Sequence, residues 1–256
     1  MGLESELPGW LVPVLMSPLA GSFVGVLIRR LPEGRSIVWA RSQCESCRRD
    51  LSPLELVPIA SYAAQRGRCN TCGTPIPPFH IAIELASILV AGWAAIVDPD
   101  PIRIWMSCLL GWGLLALAWI DARHMRLPDA ITLSLLVIGL SAQALLTPER
   151  LPAGVLGAVA GYAGFRGIAL MYRAIRKRDG LGAGDAKLLA ASGAWLGWTA
   201  LPDVIFLAAL LAILFVVVRR LDDRTIDSFT AVPFGPFLCT ASWIIHLYGP
   251  LLFVLA

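Results

Sequence analysis

Residues 104–121, Ile-Trp-Met-Ser-Cys-Leu-Leu-Gly-Trp-Gly-Leu-Leu-Ala-Leu-Ala-Trp-Ile-Asp, form an uncharged apolar run that ends in one carboxylic acid, Asp121. The run approaches the roughly 20 residues that a helix needs to cross a bilayer. An acid is costly to keep at the edge of the hydrocarbon, and acids in such positions usually have a function. The stretch therefore predicts a membrane-spanning helix with a functional carboxyl group at one end.

Similar apolar stretches recur along the whole chain. Hydrophobic residues make up 57% of the sequence and the mean hydropathy is +0.72, which is too high for an ordinary soluble domain. We predict an all-α, polytopic membrane protein with about eight transmembrane helices. The expected spans are 8–28, 79–97, 102–120, 129–146, 152–172, 185–200, 202–218 and 236–255. The segment 185–200 is short and rich in Ala and Gly, so we expect its neighbours to bury part of it.

The distribution of charge predicts the orientation. Lys and Arg are concentrated in alternate connections, within 29–68, 123–126, 173–178 and 219–224, whereas the other connections are short and mostly acidic. The positive-inside rule then places the basic connections in the cytoplasm and both termini outside. The net charge of +3 is a topology signal on this interpretation. We expect the basic loops to meet lipid headgroups, with no nucleic-acid partner.

The N-terminal stretch is interpreted as a retained helix. The first 28 residues begin with acidic side chains and lack the basic region that opens a cleavable signal peptide.

Four cysteines form two pairs in the longest polar segment, roughly 29–78. Cys44 and Cys47 form the first pair, Cys69 and Cys72 the second, and 21 residues separate the pairs. Thiolates two residues apart can bind one metal ion, and four complete the tetrahedral shell of a structural zinc. Since the segment has few large apolar residues, metal would supply much of its folding free energy. The alternative is two disulfides or free thiols, and a cytosolic location disfavours disulfides.

The two remaining cysteines, Cys108 and Cys239, lie inside apolar segments. We expect both to be packing residues.

A second acid, Asp185, closes the glycine-rich turn Gly180-Leu-Gly-Ala-Gly-Asp185. Its alternating glycines permit close backbone approach and positive φ, more than a simple helix cap requires. The turn lacks the Gly-Lys-Ser/Thr ending of a phosphate-binding loop. Two acids brought together can share one proton and act as acid and base on a peptide bond. We therefore predict that Asp121 and Asp185 form the catalytic pair of a protease at the membrane surface.

Simpler roles remain open for each acid. Asp121 can be a helix-end acid solvated at the interface, and Asp185 a helix-start acid favoured by the helix dipole. Asp129 follows Pro128 in the position of a helix cap, a structural role that we favour over catalysis. Glu84, about one turn into the span 79–97, is either a buried functional acid or one that reaches back to the interface.

Together these motifs resemble the type IV prepilin peptidases, the membrane aspartyl proteases of pilus and type II secretion systems. The resemblance runs nearly end to end. Residues 21–32 resemble the family's opening helix, and the two cysteine pairs follow in the expected loop. Residues 120–132 and 180–189 resemble its two catalytic blocks, and Pro-Phe-Gly-Pro at 233–236 resembles a late motif. Four motifs in the right order are far more specific than any one alone.

The resemblance implies the reaction, its location and its residues. The implied substrate is the N-terminal leader of a prepilin or pseudopilin, cut on the cytoplasmic side of the bacterial inner membrane just before the hydrophobic helix. Two domains are expected: the first helix with its cysteine loop (1–78), and the membrane-embedded peptidase (79–256). The implied catalytic residues are Asp121 and Asp185, with Asp129, Gly182, Gly184 and Lys187 in support.

Many members of this family also methylate the new N-terminal amine with S-adenosylmethionine, an activity tied to the N-terminal half. A sulfonium cofactor favours a nearby acid, and we expect Glu55 and Glu84 to bind it. The sequence departs from the family pattern in this half, with Leu56 where Asn is usual and Pro78 where Arg is usual. The resemblance thus predicts the peptidase and leaves methyl transfer open.

Two other classes of protein share some of these features. A proton-coupled transporter can also use paired acids in the membrane, but no half of this chain repeats the other, and the acids lie at helix ends. A metal-sensing adaptor would account for the cysteine loop and leave Asp121 and Asp185 unexplained. Processing of a co-expressed prepilin discriminates among the three; the sequence does not indicate the pilin or the oligomeric state.

Overall fold

The computed structural model describes residues 8–37, 39, 41–177, 182–221 and 232–250. Over these residues the chain is helical, and its only β-pairing is two isolated bridges in the cysteine loop. The helices are α1 (Leu11–Arg30), α2 (Ala60–Ala64), α3 (Pro78–Val97), α4 (Pro101–His124), α5 (Asp129–Leu146), α6 (Leu151–Arg176), α7 (Ala183–Leu196), α8 (Leu201–Leu221) and α9 (Gly235–Tyr248). The predicted all-α class is confirmed, and each predicted span corresponds to one helix. Of the α-helices in the described residues, only the five-residue α2 was not predicted.

Six of these helices are long and apolar enough to cross a membrane: α1, α3, α4, α5, α6 and α8. In contrast, α7 and α9 have 14 residues each, fewer than the roughly 20 that span a bilayer. The chain is therefore a multi-pass membrane protein in which two further apolar helices accompany the six long ones.

The chain divides into two compact units, Met1–Ala116 and Leu117–Ala256. Because α4 crosses this boundary, its last turn with Asp121 belongs to the second unit. The domain boundary expected after residue 78 stays a prediction.

In the first unit, α1 packs closely against α3. A Cβ atom on Gly21 would lie 2.7 Å from the Cα atom of Glu84 and 2.8 Å from the hydroxyl oxygen of Ser87. Only glycine permits this approach. The indole N–H of Trp112 on α4 donates to the carbonyl oxygen of Ser87 at 3.2 Å. These contacts fix α3 against α1 and α4, and with it the position of Glu84.

In the second unit, α7 contacts α5, α6, α8 and α9, and nine of its 14 residues are buried. Its Gly193 faces Gly157 of α6 so closely that a Cβ atom there would lie 2.3 Å from the carbonyl group of Gly157. The indole of Trp195 packs on Gly139 of α5 and donates to the carbonyl oxygen of Leu135 at 2.8 Å. The partial burial expected for this segment is confirmed, and the close approach explains its small residues.

The end of α4 and the starts of α5, α7 and α9 come together in this unit. The turn after α4 has a positive φ of 53° at Met125, and α5 begins four residues later at Asp129. A Cβ atom on Gly184, in the first turn of α7, would lie 2.9 Å from the Cβ atom of Leu127. Because a Cβ atom at this position would clash, Gly184 is required for α7 to approach the α4–α5 turn.

Candidate active site and metal centre

Asp121 and Asp185 lie near each other where α4 ends and α7 begins. Asp121 is 6% exposed and Asp185 is 8% exposed, and the two carboxyl groups interact electrostatically. The structure therefore brings together the two acids that the sequence singled out, although they are 64 residues apart in the chain (185 − 121).

The turn before α7 holds Asp185 by a backbone hydrogen bond. The N–H of Gly182 donates to Oδ2 of Asp185 at 3.1 Å. Asp185 is the third residue of α7, where an acid commonly bonds back to the cap residue. The helix-start role considered for Asp185 is thus present, together with its burial beside a second acid. Gly180, the first glycine of this turn, lies outside the described residues.

The start of α9 holds Asp121 in the same way. The N–H of Gly235 donates to Oδ2 of Asp121 at 3.0 Å, and a Cβ atom on Gly235 would lie 2.6 Å from that oxygen. Sequence reasoning assigned no role to Gly235, although the motif 233–236 had been noticed. The missing information was spatial, since 114 residues separate the two partners.

Asp129 and Lys187 form an ion pair that joins α5 to α7. Nζ of Lys187 lies 2.6 Å from Oδ1 of Asp129. Asp129 is the first residue of α5 and Pro128 occupies the cap position, so the helix-cap role predicted for Asp129 is not the one observed. Its carboxylate instead ties the start of α5 to the start of α7, which also carries Asp185.

Cys239 lies on α9 within electrostatic range of both acids and is 3% exposed. Its buried thiol fits the packing role expected from the sequence. Sequence reasoning did not foresee that this packing position adjoins the acid pair.

The four loop cysteines of the first unit converge on one point. Their sulfur atoms all lie within 4.8 Å of one another, the only such group of potential metal ligands among the residues that the structure describes. None is in a disulfide. Four thiols at this separation match the donor set of a closed tetrahedral metal site.

Each cysteine pair lies in a tight turn of the same design. The N–H of Cys44 donates to the carbonyl of Arg49, and the N–H of Cys69 to the carbonyl of Thr74, both at 2.9 Å. The residue after the second cysteine has a positive φ in each turn, 57° at Arg48 and 69° at Gly73. In this geometry both sulfur atoms of a pair face the sulfur atoms of the other pair.

The surroundings of Cys69 favour its thiolate. The backbone N–H groups of Cys72 and Thr71 lower the pKa of its thiol to about 6. Since the thiolate is the form that binds metal, this turn is suited to hold a cation.

Glu55 lies beside the thiol cluster with both carboxylate oxygens engaged. The guanidinium of Arg49 donates to Oε1 at 2.7 Å and to Oε2 at 2.9 Å. The amide of Asn70 also donates to Oε1, and the N–H and hydroxyl of Ser52 donate to Oε2. The hydrogen bond from Arg49 is the main reason that the pKa of Glu55 falls to about 2.

Glu84, on α3, forms a hydrogen bond with the backbone of the cysteine loop. The N–H of Ile59 donates to Oε2 of Glu84 at 2.8 Å, and the side chain is largely buried. Its burial and its bond to the loop backbone fit either of the two roles considered for this acid, so its role stays a prediction.

These features define a class of protein: a polytopic helical membrane protein with a buried aspartate pair in one unit and a four-thiol centre in another. Two family models match the sequence. Residues 108–217 match the type IV leader peptidase family, and residues 15–97 match the bacterial peptidase A24 N-terminal domain. The chain belongs to the type IV leader peptidase family. The resemblance described above is thereby confirmed.

Curated relatives agree along the length of the chain. It is 36% identical to a prepilin leader peptidase/N-methyltransferase of Pseudomonas aeruginosa, over 93% of this chain and 90% of the relative. Relatives with the same name from Aeromonas hydrophila and Burkholderia pseudomallei are 35% and 36% identical over 92% of this chain, and over 89% and 84% of their own lengths. No solved structure matches. The comparisons give no support to the transporter and adaptor alternatives.

Proposed function

We propose that this protein is an aspartic endopeptidase that removes the N-terminal leader of type IV prepilins or type II secretion pseudopilins. The observation that carries the proposal is the buried pair of Asp121 and Asp185, each held by one glycine N–H. Family membership and the names of the relatives support the substrate class.

In the proposed mechanism the pair shares one proton, because two buried carboxyl groups this close do not readily ionise together. The ionised carboxylate takes a proton from a water molecule, whose oxygen attacks the scissile carbonyl carbon. The protonated partner donates to the carbonyl oxygen. The carboxyl group that took the proton from water passes it to the amide nitrogen, and the other carboxylate takes back a hydroxyl proton as the C–N bond breaks. No covalent enzyme intermediate forms.

Cleavage of a prepilin reporter in proteoliposomes tests the pair. We expect Asp121→Asn and Asp185→Asn each to abolish cleavage while the protein still accumulates in the membrane. Asp203→Asn is the matched control, since Asp203 is a buried aspartate in the first turn of α8, and this variant should retain cleavage. Substantial cleavage by either dyad variant would refute the mechanism.

We propose that the pair faces the cytoplasm and that both termini lie on the other side. Basic residues cluster in the last turns of α1, α4, α6 and α8, as the positive-inside rule requires for cytoplasmic ends. The same rule places the cysteine loop, between α1 and α3, in the reducing compartment, where thiols persist. Accessibility of single-cysteine reporters from each side of the membrane tests this orientation.

We propose that Cys44, Cys47, Cys69 and Cys72 hold one structural zinc ion. Four thiols leave no open coordination position, so the ion would stabilise the loop and take no part in the reaction. Metal analysis should find about one zinc per chain, and Cys44→Ser or Cys69→Ser should lower that content. Full zinc content in the quadruple serine variant would reject the assignment.

Methylation of the new N-terminus is the second proposed activity, supported by the second half of the relatives' name. The residues expected to bind S-adenosylmethionine fit it poorly. Five donors already occupy the two carboxylate oxygens of Glu55, and Glu84 binds the backbone of Ile59. We therefore assign no step to the cofactor. Mass spectrometry of the processed pilin shows whether a methyl group is added.

A further inference from the structure

Two carboxylates hold segment 52–59, one from within the segment and one from α3. Within the segment, Glu55 accepts from Ser52 and forms a two-point ion pair with Arg49. The guanidinium of Arg49 also lies 3.9 Å from the sulfur of Cys69. At the end of the segment, the N–H of Ile59 donates to Glu84 of α3 at 2.8 Å. The segment therefore connects the thiol cluster to a membrane helix.

The backbone at Ile59 is strained. Its φ of 59° and ψ of −52° belong to a γ-turn, which the hydrogen bond from the N–H of Ala60 to the carbonyl of Pro58 closes. A positive φ is a rare outlier for a β-branched residue. Such strain destabilises the turn and persists only where the surroundings impose it. In this turn the N–H of Ile59 points at the buried carboxylate of Glu84 and donates a hydrogen bond to it.

Arg49 is placed to stabilise the negative charge of a metal centre with four thiolates. Four thiolates around a divalent cation leave a net negative charge, and the Arg49 guanidinium lies beside one of them. Ligands of structural metals are commonly oriented by such outer groups, whose loss costs about 10–100-fold in metal affinity. The Arg49–Glu55 pair is only 31% and 11% exposed, so solvent screens it weakly.

We propose that Glu55 and Glu84 are positioning residues that tie the metal centre to α3 through segment 52–59, and that they are not ligands of a methyl donor. Glu55 fixes Arg49 against Cys69, and Glu84 holds the strained turn at Ile59. The inference rests on the metal centre proposed above and explains both acids without a second ligand.

Release of zinc to a chromogenic chelator tests the Glu55 end. Glu55→Gln and Arg49→Met should each accelerate release about tenfold, and Arg49→Lys, which keeps a positive charge beside Cys69, should recover part of the loss. Arg41→Met is the matched control, because Arg41 lies in the same loop but pairs with Asp50 and is largely exposed; its release rate should equal that of the wild type. Unchanged release in both Glu55→Gln and Arg49→Met would overturn the proposal.

Limited digestion with proteinase K tests the Glu84 end. Glu84→Leu, which removes the acceptor, should loosen segment 52–59 and speed its cleavage, and adding Ile59→Gly should reduce that effect, because glycine adopts the turn without strain. Equal protection of Glu84→Leu and the wild type would overturn this part.

Direct binding of S-adenosylmethionine separates the two explanations of the acids. Loss of binding in Glu55→Gln with normal zinc release and normal protection would make Glu55 a cofactor ligand and overturn the proposal. Absence of zinc from the wild type would instead refute the proposed metal centre. Digestion of the metal-free wild type and of Glu84→Leu would then still decide whether Glu84 anchors the segment.

Discussion

Gly235 acts on the candidate dyad through its backbone. Its N–H binds Asp121, and the space where a Cβ atom would stand is taken by that carboxyl group. Gly235→Ala should therefore displace the carboxyl group while leaving the N–H present. We expect a fall in kcat of about 100-fold, the order of loss that follows a misplacement of about 1 Å in an active site. Initial rates of prepilin cleavage measure it.

The matched control for this variant is Gly164→Ala. Gly164 lies in α6, in the same unit, with no atom near the position of an added Cβ. Its kcat should equal that of the wild type. Wild-type kcat in Gly235→Ala would show that the start of α9 does not position Asp121.

The ion pair Asp129–Lys187 joins the starts of α5 and α7. We expect it to position these helices rather than to take part in the reaction. The two side chains are 58% and 30% exposed, and exposed pairs contribute about 0–1 kcal/mol to stability. Lys187→Met should hence lower kcat with little change in Tm, because α7 carries Asp185 two residues earlier. The exchanged pair Asp129→Lys/Lys187→Asp should regain part of kcat. No recovery, or a large fall in Tm, would contradict a positioning role.

The contact between α6 and α7 has no room for another side chain. In Gly193→Ala the new methyl group would meet the carbonyl of Gly157, so the two helices must separate. Overpacking of this kind typically costs about 1–3 kcal/mol, and we expect a lower Tm together with weaker cleavage. Gly167→Ala on α6, where nothing lies near the added methyl group, is the control and should match the wild type in thermal unfolding. A wild-type Tm in Gly193→Ala would contradict the close approach.

The elements were largely predictable from the sequence because their signals are local. Apolar length predicted every long helix, and spacing in the chain predicted the cysteine cluster. The hydrogen bonds to Asp121 and Glu84 were not predictable, since their donors lie 114 and 25 residues away and are backbone groups with no residue signature. The pairing of Glu55 with Arg49 was not predictable either, because a lone acid in a polar loop does not reveal which basic residue will bind it.

At the scale of the whole molecule, the thiol centre and the aspartate pair belong to different compact units. We expect chelation of the proposed zinc ion to open the cysteine loop and leave peptidase cleavage largely intact. Proteinase K digestion and prepilin cleavage, measured on the same chelated sample, check both halves of this prediction. Parallel loss of cleavage that zinc restores would show that the metal centre also maintains the dyad.

The burial of α7 has a consequence for biogenesis. This helix is short and rich in Ala and Gly, and it packs mainly on α6 and α5, which are translated before it. A nascent chain that ends near residue 200 would therefore already contain the main partners of α7. We expect α7 to integrate by docking on these earlier helices, so that its insertion depends on their prior assembly.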